Sequence, residues 1–70
     1  MKELDANEIF QTTSDKIALL TFNTPADLFY SVNGINWTIW KDQITENNVV
    51  ISNIPKGLYL YLTKPCIITD

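Results

Sequence analysis

Leu28-Phe29-Tyr30-Ser31-Val32, Asn33-Gly34, Ile35-Asn36-Trp37-Thr38-Ile39-Trp40: this stretch decides the fold class. Two runs of aromatic and β-branched residues flank an Asn-Gly pair. Such side chains fit a pleated surface, and Asn-Gly supplies the positive φ angles that a two-residue hairpin turn requires. The spacing predicts strands over Asp27–Val32 and Asn36–Trp40, joined at Asn33-Gly34. A second segment has the same plan. Asn48–Ile54 is β-branched, Pro55-Lys56-Gly57 is turn chemistry, and Leu58-Tyr59-Leu60-Tyr61-Leu62-Thr63 alternates. It reads as strand, tight turn, strand.

Outward from these segments the chain continues in short apolar runs. Glu8–Thr12 has strand composition, Thr13-Ser14-Asp15 is a turn, and Lys16–Phe22 is a run of strand length. Asn23-Thr24-Pro25 ends that run, because Pro cannot donate to a central ladder. Lys41–Asn47 is polar and irregular, Lys64-Pro65 interrupts, and Cys66–Thr69 is a short last strand. About seven short strands with regular turn signals predict an all-β, small antiparallel sandwich. A five- to six-stranded barrel of the oligonucleotide-binding type is the alternative. Residues 1–8 read as an N-terminal arm and 9–70 as a single domain.

Period-two alternation assigns faces. Leu58, Leu60 and Leu62 point one way, Tyr59 and Tyr61 the other. A strand apolar on both faces is either central in its sheet or covered by a partner. Trp37 and Trp40 are three apart, so an unbroken strand sends them to opposite faces, one toward the core and one left exposed.

Composition narrows the function. The 70 residues include nine Ile and eight Thr, carry a net charge of −3, and contain no His and no Arg. Nucleic-acid binding draws on clustered cations, and Arg makes the bidentate contacts. Lys2, Lys16, Lys41, Lys56 and Lys64 are scattered singly, as solvated or edge-strand guards. No nucleic-acid partner is expected. No run approaches the ~18 apolar residues of a membrane helix, and Met1–Asp5 has no apolar leader core. The expectation is a soluble chain made in a cytoplasm, with no membrane partner.

No nucleophile–base pair, phosphate cradle or metal-ligand set can be assembled from these residues. A carboxylate pair from Asp15, Asp27, Asp42 and Glu46 needs a cleft that so short a chain hardly forms. No enzymatic activity and no cofactor are expected. Cys66 is the only cysteine; it forms no intrachain disulfide and is expected to pack as a small hydrophobe. A core of this size rarely supplies more than roughly 3–5 kcal/mol. The lack of disulfide and metal staples points to a chain that works in an assembly.

The run Tyr30-Ser31-Val32-Asn33-Gly34-Ile35-Asn36-Trp37 resembles the Tyr-Ser-x-Asp/Asn-Gly-x-x-Trp hairpin of bacterial and phage modules with an immunoglobulin-like or fibronectin-like sandwich. Val49–Tyr61, with Ile54-Pro55-Lys56-Gly57 between strands, is similar to their next-to-last hairpin. Tyr59 or Tyr61 would take the place of the tyrosine corner. The resemblance covers residues 16–69. The chain departs by being short and by lacking the inter-sheet disulfide, so a strand is missing or supplied by a neighbour. Free-standing modules of this size and type resemble the auxiliary, or decoration, proteins of tailed-phage capsids. That resemblance implies a structural role on the virion surface, with a capsid shell protein as partner. Docking is then expected through the arm and the segment after it, at Leu4, Ile9 and Phe10, with Trp40. The alternative function is carbohydrate binding, with Trp37, Trp40, Tyr59 and Tyr61 stacking on sugar rings beside Asn33, Asn36 and Asn53. A third is an immunity-type protein whose acidic charge caps a basic partner.

Overall fold

Leu58, Leu60 and Leu62 are buried and Tyr59 and Tyr61 between them are half-exposed, so the alternation divides inside from outside as the sequence predicts. The computed structural model describes residues 1–70 and holds eight strands: β1 (Lys2–Leu4), β2 (Phe10–Gln11), β3 (Lys16–Leu20), β4 (Ala26–Ser31), β5 (Thr38–Ile44), β6 (Asn48–Ser52), β7 (Tyr59–Leu62) and β8 (Cys66–Thr69). They form two four-stranded antiparallel sheets, ordered β1-β8-β3-β6 and β2-β7-β4-β5. The sandwich is open and is not a barrel. β7 lies between β2 and β4, which explains why it is apolar on both faces.

Two local expectations are corrected. Asn33-Gly34 is not a two-residue turn. Tyr30 pairs with Thr38, leaving a longer loop that side chains organise. The Ser31 hydroxyl accepts the N–H groups of Asn33 and Gly34 at 3.2 and 2.8 Å and donates to Asn33 Oδ1 at 2.9 Å. Asn33 Oδ1 also accepts the N–H groups of Ile35 and Asn36 at 2.9 and 3.0 Å. Ser and Asn offer the backbone these alternatives to a ladder, and of the pair only Gly34 takes a positive φ. Pro55-Lys56-Gly57 closes no hairpin either, since β6 and β7 belong to opposite sheets. Asn53 turns the chain with φ 60°, and Ile54 plugs the core in passing. Thr12 holds the crossing: its hydroxyl donates to Pro55 O and accepts Leu58 N–H, both at 3.0 Å.

The N-terminal arm is also corrected. Lys2–Leu4 pairs with β8, setting Leu4 opposite Cys66, and Leu4 is a core residue at 4% exposure. Burial of one leucine in a 13-residue core contributes roughly 1.5–3 kcal/mol, which together with the pairing to β8 helps offset the cost of ordering this short polar strand. The core lies between the sheets, with Leu4, Ile17, Leu19, Val49, Cys66 and Ile68 facing Ala26, Leu28, Leu60 and Leu62. The buried hydroxyls of Thr12, Thr21 and Ser31 are all hydrogen-bonded, and no buried side-chain polar atom lacks a partner.

Candidate docking surface

Register fixes what the first sheet shows to solvent. Ala18 pairs with Val50 and Thr69, and Leu20 with Asn48 and Ile67. These residues alternate with buried Ile17, Leu19, Val49 and Ile68, so they form the outer face. Its centre is Ala18, Leu20, Val50 and Ile67, without a charge. Phe22, Met1 and Pro65 extend it, and Lys16, Glu3, Asp5 and Asp70 stand at its margins. Three shallow depressions open on this side of the molecule. The largest, about 420 Å³, lies between Lys16, Ala18, Val50 and Asp70; the small Ala18 between larger neighbours leaves the dip.

Phe22 is the unusual residue at this face. It is half-exposed and has φ 58°, followed by Asn23 at 55°. A left-handed conformation is ordinary for Asn but disfavoured for a bulky residue. It is held there by Thr21, whose N–H donates to Asn47 O at 2.9 Å and whose hydroxyl donates to Glu46 O. The turn projects an aromatic ring next to Pro65 and Ile67, along the third depression.

Two groups of this sheet have shifted titrations, one at its outer margin and one in the core. One oxygen of Asp70 accepts the N–H and hydroxyl of Thr13, and these bonds hold its carboxyl below the usual range. Burial pushes the Cys66 thiol up, with the Glu8 carboxylate adding to the shift. Both effects favour the form that suits each environment, a hydrogen-bonded anion at the surface and a neutral thiol in the core.

The opposite outer face, on the second sheet, is aromatic. Phe29 and Tyr61 stack with centroids 5.0 Å apart and planes 12° from parallel. Trp37 stands edge to face with Tyr61 at 4.8 Å. Gly34 approaches Tyr59, and a Cβ there would lie 3.7 Å from its ring. These rings are engaged with one another, and neither tyrosine takes a corner role. Trp40 packs edge to face on Tyr30 at 5.3 Å, on the other side of the sheet from Trp37.

The sequence-predicted docking residues are therefore dispersed. Leu4 is buried, Phe10 packs partly against the core, and Ile9 and Trp40 are exposed. Trp37, Tyr59 and Tyr61 share one face; Trp40 does not join them. The charge-free face of Ala18, Leu20, Val50 and Ile67 escaped sequence reading. The outer side chains are as apolar as the buried ones, so hydrophobicity alone cannot separate the two faces, and the face emerges only from the neighbouring of β3, β6 and β8. No family model, no curated protein and no solved structure matches this chain. No helix of the structure is long and apolar enough to cross a membrane.

Proposed function

We propose that this chain is a non-enzymatic interaction module that docks on a larger protein assembly through the outer face of the β1-β8-β3-β6 sheet. The observation that carries this is the charge-free centre of that face together with the exposed, left-handed Phe22 at its border. Exposed apolar side chains grouped on one face are where small domains commonly meet partners.

The assembly we propose is a phage capsid shell, with this chain as an auxiliary protein on its surface. Support comes from the resemblance of the Tyr30–Trp37 run to phage and bacterial modules and from the strand order. β3 through β7 follow the central strands of an immunoglobulin-like sandwich: β3 and β4 lie in opposite sheets, β6 returns to β3, and β7 returns to β4. The outer strands depart from that plan, because β8 joins β3 and β2 flanks β7. Gradient-purified virions from the source, analysed by mass spectrometry, test the role. Peptides of this chain at a fixed ratio to the shell protein are the expected result, and their absence rejects it.

A second reading, glycan binding, is supported by Trp37, half-exposed beside the Asn33–Asn36 loop. Phe29 and Tyr61 turn their faces to each other, which leaves few ring planes for a sugar. A change in tryptophan emission on adding oligosaccharides tests it.

A further inference from the structure

The two sheets have four border strands, and three are guarded against pairing. β1 is three residues long and carries Lys2 and Glu3; β2 has two residues. β5 carries Lys41 and Asp42, its register with β4 shifts twice, and Gln43 takes φ 49°. Charges, bulges and brevity are the usual ways of blunting an edge. β6 has none of them. Asn48-Val49-Val50-Ile51-Ser52 is uncharged, lacks Pro and Gly, and pairs with β3 at five consecutive positions without a bulge.

Its free groups can be assigned. Thr21 N–H donates to Asn47 O at 2.9 Å, one step beyond the Leu20–Asn48 pair. Hydrogen-bonded pairs recur at every second residue of an antiparallel ladder. Leu19–Val49 and Ile17–Ile51 are therefore the bonded pairs, and the peptide groups of Asn48, Val50 and Ser52 point away from β3. No other strand lies on that side.

We propose that β6 pairs antiparallel with β6 of a second copy of this chain, about a two-fold axis through Val50. The sequence of the strand is complementary to itself in that register. Val50 meets Val50 of the other copy, and Asn48 meets Ser52, so the outward peptide groups fall opposite one another as bonded pairs. On the inner face Val49 meets Ile51, which is only half-buried in the single chain. Val50, 60% exposed, gains an apolar neighbour on the outer face. No like charges oppose anywhere along the strand, and the two first sheets merge into one of eight strands. The pairing does not depend on the capsid reading, since it concerns the isolated chain.

Because residue 50 faces itself, charge decides the test. Sedimentation equilibrium is expected to show the unmodified chain as a dimer. Val50→Lys and Val50→Asp each set like charges opposite across the axis and are expected to weaken the dimer by roughly tenfold or more. An equimolar mixture of the two regains it as a mixed pair. An unmodified chain that stays monomeric at high micromolar concentration overturns the proposal. So do variants that dimerise unchanged, or a mixture that stays monomeric. Hydrogen exchange on the unmodified chain is the second measurement and needs no variant to fold. The amides of Asn48, Val50 and Ser52 are expected to gain protection as concentration rises. Fast exchange at all three in concentrated protein overturns the proposal.

Discussion

One carboxylate oxygen of Asp70 receives both the N–H of Thr13, at 2.7 Å, and its hydroxyl, at 2.6 Å. This clasp ties the residue after β8 to the turn before β3, and its bonds are stronger to the ionised carboxylate than to the protonated acid. Asp70 has a lowered value in the folded chain, so its contribution is complete above the ordinary carboxylate range. It is lost as pH falls through the lower folded value. Thermal melts from pH 7 to pH 2 are expected to show a loss of stability in that acid window, and the loss is smaller in Asp70→Asn. Because the pair is exposed, the effect is a few degrees at most.

The loop between β4 and β5 depends on acceptors. Ser31 is buried and accepts two N–H groups, so Ser31→Ala leaves those donors without it and is expected to cost about 1–3 kcal/mol. Asn33 Oδ1 only accepts, from Ser31, Ile35 and Asn36. Asn33→Asp is therefore expected to match the unmodified chain, while Asn33→Ala loses about 1 kcal/mol. Urea denaturation midpoints give the comparison.

Leu28 is completely buried and sits between β7 and β5. Leu28→Ala is expected to cost about 2–5 kcal/mol, of the order of the whole stability that a core this small supplies. Circular dichroism at 25 °C is expected to show a largely unfolded chain. A fully folded variant would mean that the core has other reserves.

Cys66 is buried and its thiol is pushed up. The reactive species is the thiolate, so a thiol reagent at pH 8 is expected to leave the native protein unmodified for as long as it stays folded. Full labelling follows on addition of denaturant. Rapid labelling without denaturant would show that β8 opens.

Phe22 links stability to docking. Phe22→Gly removes the left-handed strain and is expected to raise stability by about 1 kcal/mol. It also removes the projecting ring and, on the proposed capsid role, is expected to weaken association with the shell, read by co-sedimentation with particles. Unchanged binding would move the contact away from this corner.

How much of this was legible depends on the kind of signal. The alternation of Leu58–Thr63 carries burial directly, because one side chain in two must face the core. Cys66–Thr69 was legible as a strand from its β-branched composition, though not in its faces. β1 was not: Lys2-Glu3-Leu4 has no strand signature of its own, and it is ordered by Leu4 meeting Cys66 across the sheet. The end of β5 was hidden too. Lys41-Asp42-Gln43 is polar on both faces because it forms a border, and its shape depends on Asp27 Oδ1 accepting Gln43 N–H at 2.8 Å. Asn-Gly marked a turn correctly but not its length, which Ser31 sets from outside the dipeptide. The apolar outer face of the first sheet follows from which strands are neighbours, and β6 beside β3 is a non-local pairing that neither run announces.

The unequal protection of the four borders bears on how this chain behaves when crowded. A surface with two open edges can add copies at both and grow without limit into a fibre. Here a single open edge is consumed when two copies meet, and the borders then left outermost are the short, charged or bulged ones. On the proposed pairing, growth stops at a finite size, so a concentrated solution can hold large amounts of such a chain without it gelling.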